Sequence, residues 1–468
     1  MRRTKIVCTL GPSSSSPAQI DALVAAGMDC ARLNFSHGDH RSHAALAATV
    51  RAAAARARRP LAILADLCGP KMRIGTFAGG GVELVPGQRF TLCTAEIEGD
   101  AERVSVSYEP LPRDVLSGDL ILLDDGLFRM RVLEAEGEEV HCEVEIGGWL
   151  TDRKGLNLPG AKLSAPALTA KDREDLTFAV SELGADYLAL SFVRCAEDVE
   201  EAKRLAGATP VIAKIEKPEA VDCLEAICDV ADGIMVARGD LGVELGSAKV
   251  PLVQKRIIRE VNRRGKIVIT ATQMLDSMIR NPRPTRAEAA DVANAVLDGT
   301  DAVMLSGETA SGKYPVESVE MMDAIVREVE TGWLEEPAVG QPILSLEGEE
   351  WGFPNAAARA AALLSLVLPL KAIVTFTRDG RSAGLLSEYR PRAPILAITT
   401  DARVASRLAL EWGVSPRIEV PPESLEETLR IATSLLVRER WCERGDAFAM
   451  VAGWPPSGRT NTVKLHRL

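Results

Sequence analysis

Eight short apolar runs punctuate the chain, at residues 5–10, 31–35, 61–66, 187–193, 211–215, 233–236, 266–270 and 302–305. Each is near-continuously apolar, and all but residues 31–35 carry β-branched side chains, the pattern of a strand covered on both faces. Longer amphipathic stretches follow them, including residues 17–26, 40–58, 171–183 and 250–263. Thr169 ahead of Ala170, Lys171 and Asp172 reads as an N-cap with an acidic first turn. Eight strand–helix units predict an α/β chain built on a (β/α)8 TIM barrel.

The rhythm breaks once. About 120 residues separate Asp66 from Tyr187, far more than a loop between strand and helix holds. This interval carries Gly79-Gly80-Gly81, Pro86-Gly87, Gly118-Asp119, Asp124-Asp125-Gly126 and Gly147-Gly148. Alternating runs at 104–107 and 140–146 lie between these turn signals and read as antiparallel strands. A small β-barrel domain at residues 71–163, acting as a lid, is therefore expected to interrupt a barrel made of residues 1–70 and 164–338. Composition shifts after Gly332, and the Glu-, Pro- and Gly-rich residues 334–354 read as a linker. Beyond it, helix (356–367), strand (372–376), helix and strand (395–399) predict a C-terminal α/β domain over residues 350–468.

Composition narrows the function. The chain has 55 Lys and Arg against 66 Asp and Glu, a net charge of −11, which excludes a generic nucleic-acid or anionic-membrane binder. Nine scattered cysteines form no C-x-x-C pair, which argues against a zinc site or a disulfide framework. The longest apolar stretch, residues 360–370, is too short to cross a bilayer and contains Pro369. Only five mostly apolar residues precede Gly11-Pro12, too few for a signal peptide, so a cytoplasmic setting is expected.

Barrel enzymes place their chemistry where strands end. Here the second strand runs into Arg32-Leu33-Asn34-Phe35-Ser36-His37-Gly38, and the third into Asp66-Leu67-Cys68-Gly69-Pro70-Lys71-Met72-Arg73. The fifth gives Lys214-Ile215-Glu216-Lys217, the sixth Arg238-Gly239-Asp240, the seventh Thr272-Gln273 and the eighth Ser306-Gly307-Glu308-Thr309. Glu216 and Asp240 suit a hard divalent ion, since Mg²⁺ takes few carboxylates plus substrate oxygens. Nearby Lys and Arg neutralise a phosphoryl group in transfer, and Gly239-Asp240 opens a helix whose N–H groups face an anion. A lone salt bridge would explain Lys214 with Glu216, but not six functional strand ends. The ring points to a Mg²⁺-assisted enzyme acting on a small phosphorylated or carboxylated molecule.

Residues 32–38 (RLNFSHG), 214–218 (KIEKP), 233–244 (GIMVARGDLGVE), 270–278 (TATQMLDSM), 281–288 (NPRPTRAE) and 291–309 (DVANAVLDGTDAVMLSGET) together resemble the pyruvate kinase family. The likeness runs to Thr460-Asn461-Thr462-Val463-Lys464. It implies transfer of the phosphoryl group of phosphoenolpyruvate to ADP, giving ATP and pyruvate. It also implies that Arg32 binds the substrate phosphate, and that Lys214 steadies the phosphoryl group in flight. Glu216 and Asp240 would ligate Mg²⁺ (or Mn²⁺). Gly239, Asp240 and Thr272 would contact the substrate carboxylate or its surroundings, Thr272 would deliver a proton to the enolate through water, and Arg73 and Lys154 would hold nucleotide phosphates. A homotetramer with a phosphorylated allosteric effector belongs to the same implication.

One departure stands out. Many family members have Thr, Lys and Glu where this chain has Leu67, Cys68 and Lys71. Asn34, Ser36, Asp66 and the Leu67 carbonyl remain for a monovalent cation, but a lysine at the position of Lys71 accompanies loss of the K⁺ requirement. A tethered ammonium replaces the charge that K⁺ brings, so activity without K⁺ is expected.

In the C-terminal domain, Thr377, Arg378, Gly380, Arg381 and Ser382 lie between a strand and a helix and are similar to the family's effector-phosphate loop, with Asp379 opposing it. Residues 453–461 would close over the same pocket. Other features read blandly. Residues 307–313 fit G-x-x-x-x-G-K, but Tyr314 stands where Ser or Thr must reach Mg²⁺. His37, His40 and His43 span a turn into a polar helix, and Asp124-Asp125-Gly126 reads as a hairpin turn first, with reach over the closed site as the alternative. Two rival functions are another barrel enzyme acting on phosphoenolpyruvate or pyruvate, such as a Mg²⁺-dependent aldolase or lyase, and a catalytically silent regulatory subunit. The first has no use for a nucleotide-closing insert, and the second none for Lys214, Glu216, Asp240 and Thr272.

Overall fold

Apolar runs without alternation need cover on both faces, and a closed barrel ringed by helices supplies it. The computed structural model describes residues 1–161, 163–335, 352–420, 424–453 and 459–468. In it, Lys5–Thr9, Cys30–Asn34, Ala62–Asp66, Tyr187–Leu190, Val211–Ile215, Gly233–Ala237, Ile267–Ala271 and Ala302–Leu305 close a parallel barrel in chain order. Alternate strand residues divide between two cores. Ile6, Cys8, Ile63 and Leu188 pack outward with Ile20, Leu23 and Val50 of the surrounding helices. Val7, Leu64, Ile212, Met235 and Ile269 fill the interior, so the barrel is a packed core rather than a channel.

Local signals set the helix bounds. The helix Pro17–Ala26 starts with the Ser16 side chain accepting from the Gln19 N–H, and the helix Ala170–Ser181 has the Thr169 cap, closed reciprocally by Asp172. The fourth strand stops at Leu190, three residues short of expectation, because Phe192 takes a left-handed φ of +55° that no strand accommodates.

The insert has its own core, built on Phe90, Leu92, Ile121, Met130 and Val144. Its main sheet closes into the expected small barrel through residues 73–74, where Arg73 bridges Gly155 beside one edge strand and Ile74 bridges Val106 beside the other. Six strands form that sheet and two form a separate ribbon, Gly148–Thr151 against Gly81–Leu84. The Gly147-Gly148 corner causes the split. Gly148 has φ +139°, and a Cβ on Gly147 would sit 2.0 Å from the Leu84 carbonyl oxygen, so the chain turns there and leaves the main sheet.

A five-stranded C-terminal sheet runs in the order Val414–Ile418, Ile395–Thr399, Leu370–Phe376, Ala447–Gly453 and Thr460–Arg467, the last strand antiparallel. It meets the end of the barrel where the strands begin. Leu410 joins the barrel-interior cluster, Lys5 Nζ donates to the Val414 carbonyl at 2.6 Å, and the Gly413 N–H donates to the Arg3 carbonyl at 2.9 Å. The opposite end is left to the insert. Of the expected linker, residues 334 and 335 continue the helix Pro315–Glu335, the helix Phe353–Val367 starts before its expected end, and residues 336–351 lie outside the described residues. Among the described residues no helix is long and apolar enough to cross a membrane, and all nine cysteines are free.

Candidate active site at the carboxyl ends of the barrel strands

Parallel pairing aligns Asn34 with Asp66 and Ile215 with Val236, bringing the polar strand ends to one rim. Asp66 lies at the centre. Its Oδ2 accepts from Arg32 Nε at 2.6 Å, and Lys214 Nζ stands 3.3 Å from its Oδ1. Lys214 Nζ also reaches Glu216 Oε1 at 2.9 Å and donates to Ser191 Oγ at 2.8 Å. Ser191 Oγ in turn donates to the Leu67 carbonyl at 2.7 Å, and the Phe192 N–H donates to Glu216 Oε2 at 2.7 Å. The strained backbone at Phe192 is thus what aims an amide at Glu216.

Burial sharpens these contacts, since Asp66 and Glu216 are each 1% exposed and Lys214 8%. Burial pulls the Lys214 ammonium down, but Asp66 and Glu216 outweigh it and hold the lysine above its ordinary value, fully charged. Burial likewise pushes Asp66 up, and Lys214 with Arg32 reverses this, leaving it a firm carboxylate. Glu216 differs: burial pushes it up, Lys214 opposes, and the neighbouring Asp240 carboxylate pushes again, so it ends above the usual range. Asp66 faces two cations, whereas Glu216 faces one cation and a like charge.

That unrelieved pair of carboxylates fits a divalent cation. Glu216 and the half-buried Asp240 offer two hard oxygen donors. Among the described residues no group of three or more His, Cys, Asp or Glu is placed to hold a metal, so the remaining positions would fall to substrate and water. The expected monovalent set is more committed. Asn34 Oδ1 accepts from the Ser36 N–H at 3.1 Å, the Leu67 carbonyl takes the Ser191 hydroxyl, and Asp66 Oδ1 has no hydrogen-bond donor beyond the Lys214 ion pair. The Lys71 side chain stands exposed nearby. Burial and then Lys71, Arg73 and Arg32 push His37 below its ordinary value, which shows three cations converging on the rim.

Thr272 sits just past the seventh strand with φ +69°, followed by Gln273 at +55°. Its Oγ1 donates to the Ala271 carbonyl at 2.6 Å and accepts from the Gly239 N–H at 2.7 Å. The Gly239 amide, expected to face an anion, therefore faces Thr272. At the eighth strand end, Glu308 accepts from the Leu275 N–H at 3.0 Å and the Ser306 N–H at 2.7 Å, and so shapes the loop.

The insert contributes from above. Arg73 Nη1 donates to the Arg153 carbonyl at 2.9 Å, and Lys154 Nζ pairs with Asp124 Oδ2 at 3.0 Å. The turn at 124–126 is more than a hairpin end. Burial and then Asp240 push the Asp125 carboxyl up while Lys71 opposes, so this turn hangs over the rim. Sequence reasoning missed Ser191 and Phe192, and gave the turn at Asp125 its reach over the site only as the lesser alternative.

Elsewhere, Thr377 Oγ1 accepts from the Gly380 N–H at 2.9 Å, and Asp379 Oδ2 pairs with Arg381 Nε at 2.7 Å, so one of the loop's two arginines is turned onto the loop itself. Ser382 Oγ lies 2.7 Å from Thr460 Oγ1, and Arg378 heads the loop. Of residues 453–461, positions 454–458 lie outside the described residues. His40 pairs with Asp175 at 2.7 Å and His43 Nε2 bonds the His37 carbonyl at 2.9 Å, both stacked against phenylalanines.

Comparison with known proteins agrees in every part of the chain. The family model "Pyruvate kinase, barrel domain" matches residues 1–319, and "Pyruvate kinase, alpha/beta domain" matches residues 355–466. The chain is 47% identical over 474 positions to a pyruvate kinase of Mycobacterium tuberculosis, covering 100% of this chain and 98% of that one. It is 45% identical over 473 positions to one of Corynebacterium glutamicum, with the same coverage of 100% and 98%. A Geobacillus stearothermophilus pyruvate kinase is 45% identical over 474 positions, covering 99% of this chain and 80% of that one.

Proposed function

The chain belongs to the pyruvate kinase family of phosphotransferases, and on that premise we propose that it moves the phosphoryl group of phosphoenolpyruvate to ADP, releasing ATP and pyruvate, with Lys214 as the central catalytic cation. The observation that carries this reading is the buried Lys214, held charged by Asp66 and Glu216 at the rim where six strand ends converge.

Arg32, anchored by Asp66, grips the substrate phosphate. Lys214 lies behind it and meets the charge that builds on the phosphoryl oxygens as the bond to the enol oxygen breaks and an ADP oxygen bonds to phosphorus. Glu216 and Asp240 would hold Mg²⁺ or Mn²⁺, which supplies further positive charge to the same oxygens. The substrate carboxylate lies against the helix Arg238–Leu245, whose N-terminal turn carries Gly239 and Asp240. The enolate left behind takes a proton at its terminal carbon. Thr272 commits its own hydroxyl proton to the Ala271 carbonyl, so it acts by ordering the water that donates. Arg73 and Lys154, on the insert, bind the nucleotide phosphates, and Lys71 supplies the charge that K⁺ otherwise brings.

The chain works as a cytoplasmic homotetramer whose 377–382 loop receives a phosphorylated effector. Its self-pairing through Asp379 and Arg381 makes that effector compete with an internal carboxylate. A coupled assay for pyruvate from phosphoenolpyruvate and ADP, run on the wild type and on Lys214→Met, tests the reading. Activity in the first and its collapse in the second are expected, and an inactive wild type in both Mg²⁺ and Mn²⁺ overturns it.

A further inference from the structure

We propose that Arg238 is the positioning residue that holds Thr272 in its working conformation, a role that rests on the assignment of Thr272 to enolate protonation. Thr272 is β-branched, and such a residue at φ +69° is a backbone outlier that surrounding contacts must impose. The contacts that impose it come from one side chain on the neighbouring strand's end. Arg238 Nε donates to the Ala271 carbonyl at 3.1 Å, and Nη2 donates to the Thr272 carbonyl at 2.7 Å. These are the two carbonyls that flank Thr272, so a single planar fork fixes both peptide planes around its Cα. The next residue completes the clamp, because the Gly239 N–H donates to Thr272 Oγ1 at 2.7 Å and so fixes the side-chain rotamer.

The fork is itself anchored from outside the rim. Nη1 donates to Asp291 Oδ1 at 2.7 Å, on the helix Arg286–Leu297, and to Gln254 Oε1 at 3.4 Å, on the helix Val250–Arg263. Nη2 also meets Met274 Sδ at 2.8 Å. Only 10% of the Arg238 side chain is exposed, so its donors turn inward to these partners. A lysine offers one ammonium and no fixed plane, and cannot take both carbonyls and the carboxylate at once.

The test uses the full chain and separates the two halves of the reaction. Exchange of the pyruvate methyl hydrogens with D₂O, followed by proton NMR with Mg²⁺ and ATP, reads proton transfer at carbon. Steady-state kinetics read kcat and the KM for phosphoenolpyruvate. For Arg238→Gln and Arg238→Lys alike, methyl exchange is expected to fall about 100-fold, the scale of a misplaced reacting group. The KM is expected to stay within about threefold, as for a group that acts on the transition state rather than on substrate binding. Asp291→Asn, which loosens the anchor and leaves the fork, is expected to lose about tenfold in exchange by the same argument.

In the double variant Arg238→Gln with Thr272→Ala, exchange is expected to lie within about threefold of Thr272→Ala alone, because the arginine acts only through the threonine. Independent, multiplicative losses overturn the proposal, and so does Arg238→Gln keeping wild-type exchange while Thr272→Ala loses it. If Thr272→Ala itself exchanges like the wild type, the assignment of Thr272 fails and takes the proposal with it, a result distinct from either of those. Should Arg238→Gln not fold, Asp291→Asn decides, and unchanged exchange in that variant overturns the proposal.

Discussion

Replacing Lys214 by Met keeps most of the side chain's length and deletes its charge, which makes it the sharpest perturbation of the rim. The ammonium lies 2.9 Å from Glu216 and 3.3 Å from Asp66, and both carboxylates are buried. At an effective dielectric of about 20, each contact is worth about 5 kcal/mol of direct attraction, most of which offsets the cost of burying the ions. What remains visible on mutation is the cost of leaving carboxylates without their cation, about 3–5 kcal/mol. Asp66 keeps Arg32 at 2.6 Å, so Glu216, with Asp240 beside it, bears most of that cost. The catalytic loss is separate: removing a positioned charge from a transferring group costs about 10²–10³ in kcat. Urea unfolding and the coupled pyruvate assay, done on the same protein, read the two effects. Loss of both stability and activity is expected. A variant that loses the stability but keeps activity within about tenfold would mean that Lys214 only cements the rim and plays no catalytic part.

Activity in tetramethylammonium buffer is expected to match that in K⁺ buffer for the wild type, whereas Lys71→Glu should lose on the order of 10² in rate and regain it when K⁺ is added. Full activity of Lys71→Glu without K⁺ would count against a tethered-charge role. At the opposite end of the barrel, burial and then Asp301 push the Glu411 carboxyl up to about 7 from 4.5, against Arg390 and Lys5. An acid held protonated longer in the folded state loses stability as pH rises from about 4.5 to about 7, so Glu411→Gln should narrow the stability difference between pH 5 and pH 8 by up to about 3 kcal/mol. Urea unfolding at both pH values checks this, and an unchanged difference would contradict it.

The parts of the fold that could be read from sequence are those with local causes. Pro17–Ala26 and Val250–Arg263 have the expected bounds because a cap, a proline and the apolar stripe act within a few residues. The Thr169 cap is visible for the same reason. The insert's strands were visible as turns and alternations, but the pairing of Gly148–Thr151 with Gly81–Leu84 depends on a contact across more than sixty positions, which no local pattern carries. At the rim, charged residues at strand ends announced themselves by type. The groups that orient them did not. Ser191 stands inside an apolar run, and its bridge from Lys214 to the Leu67 carbonyl exists only once three strands are side by side. Arg238 was legible as a strand-end cation, yet its fork turns away from the pocket onto carbonyls of the next strand.

The central claim is that this ring of cations and carboxylates carries a phosphoryl group from an enol to a nucleotide. Phosphorus NMR on the full chain with phosphoenolpyruvate, ADP and Mg²⁺, in buffer free of K⁺, tests it most directly. The phosphoenolpyruvate resonance is expected to decay as the γ-phosphate of ATP grows one for one. Inorganic phosphate appearing in place of ATP, or no change at all, would contradict it.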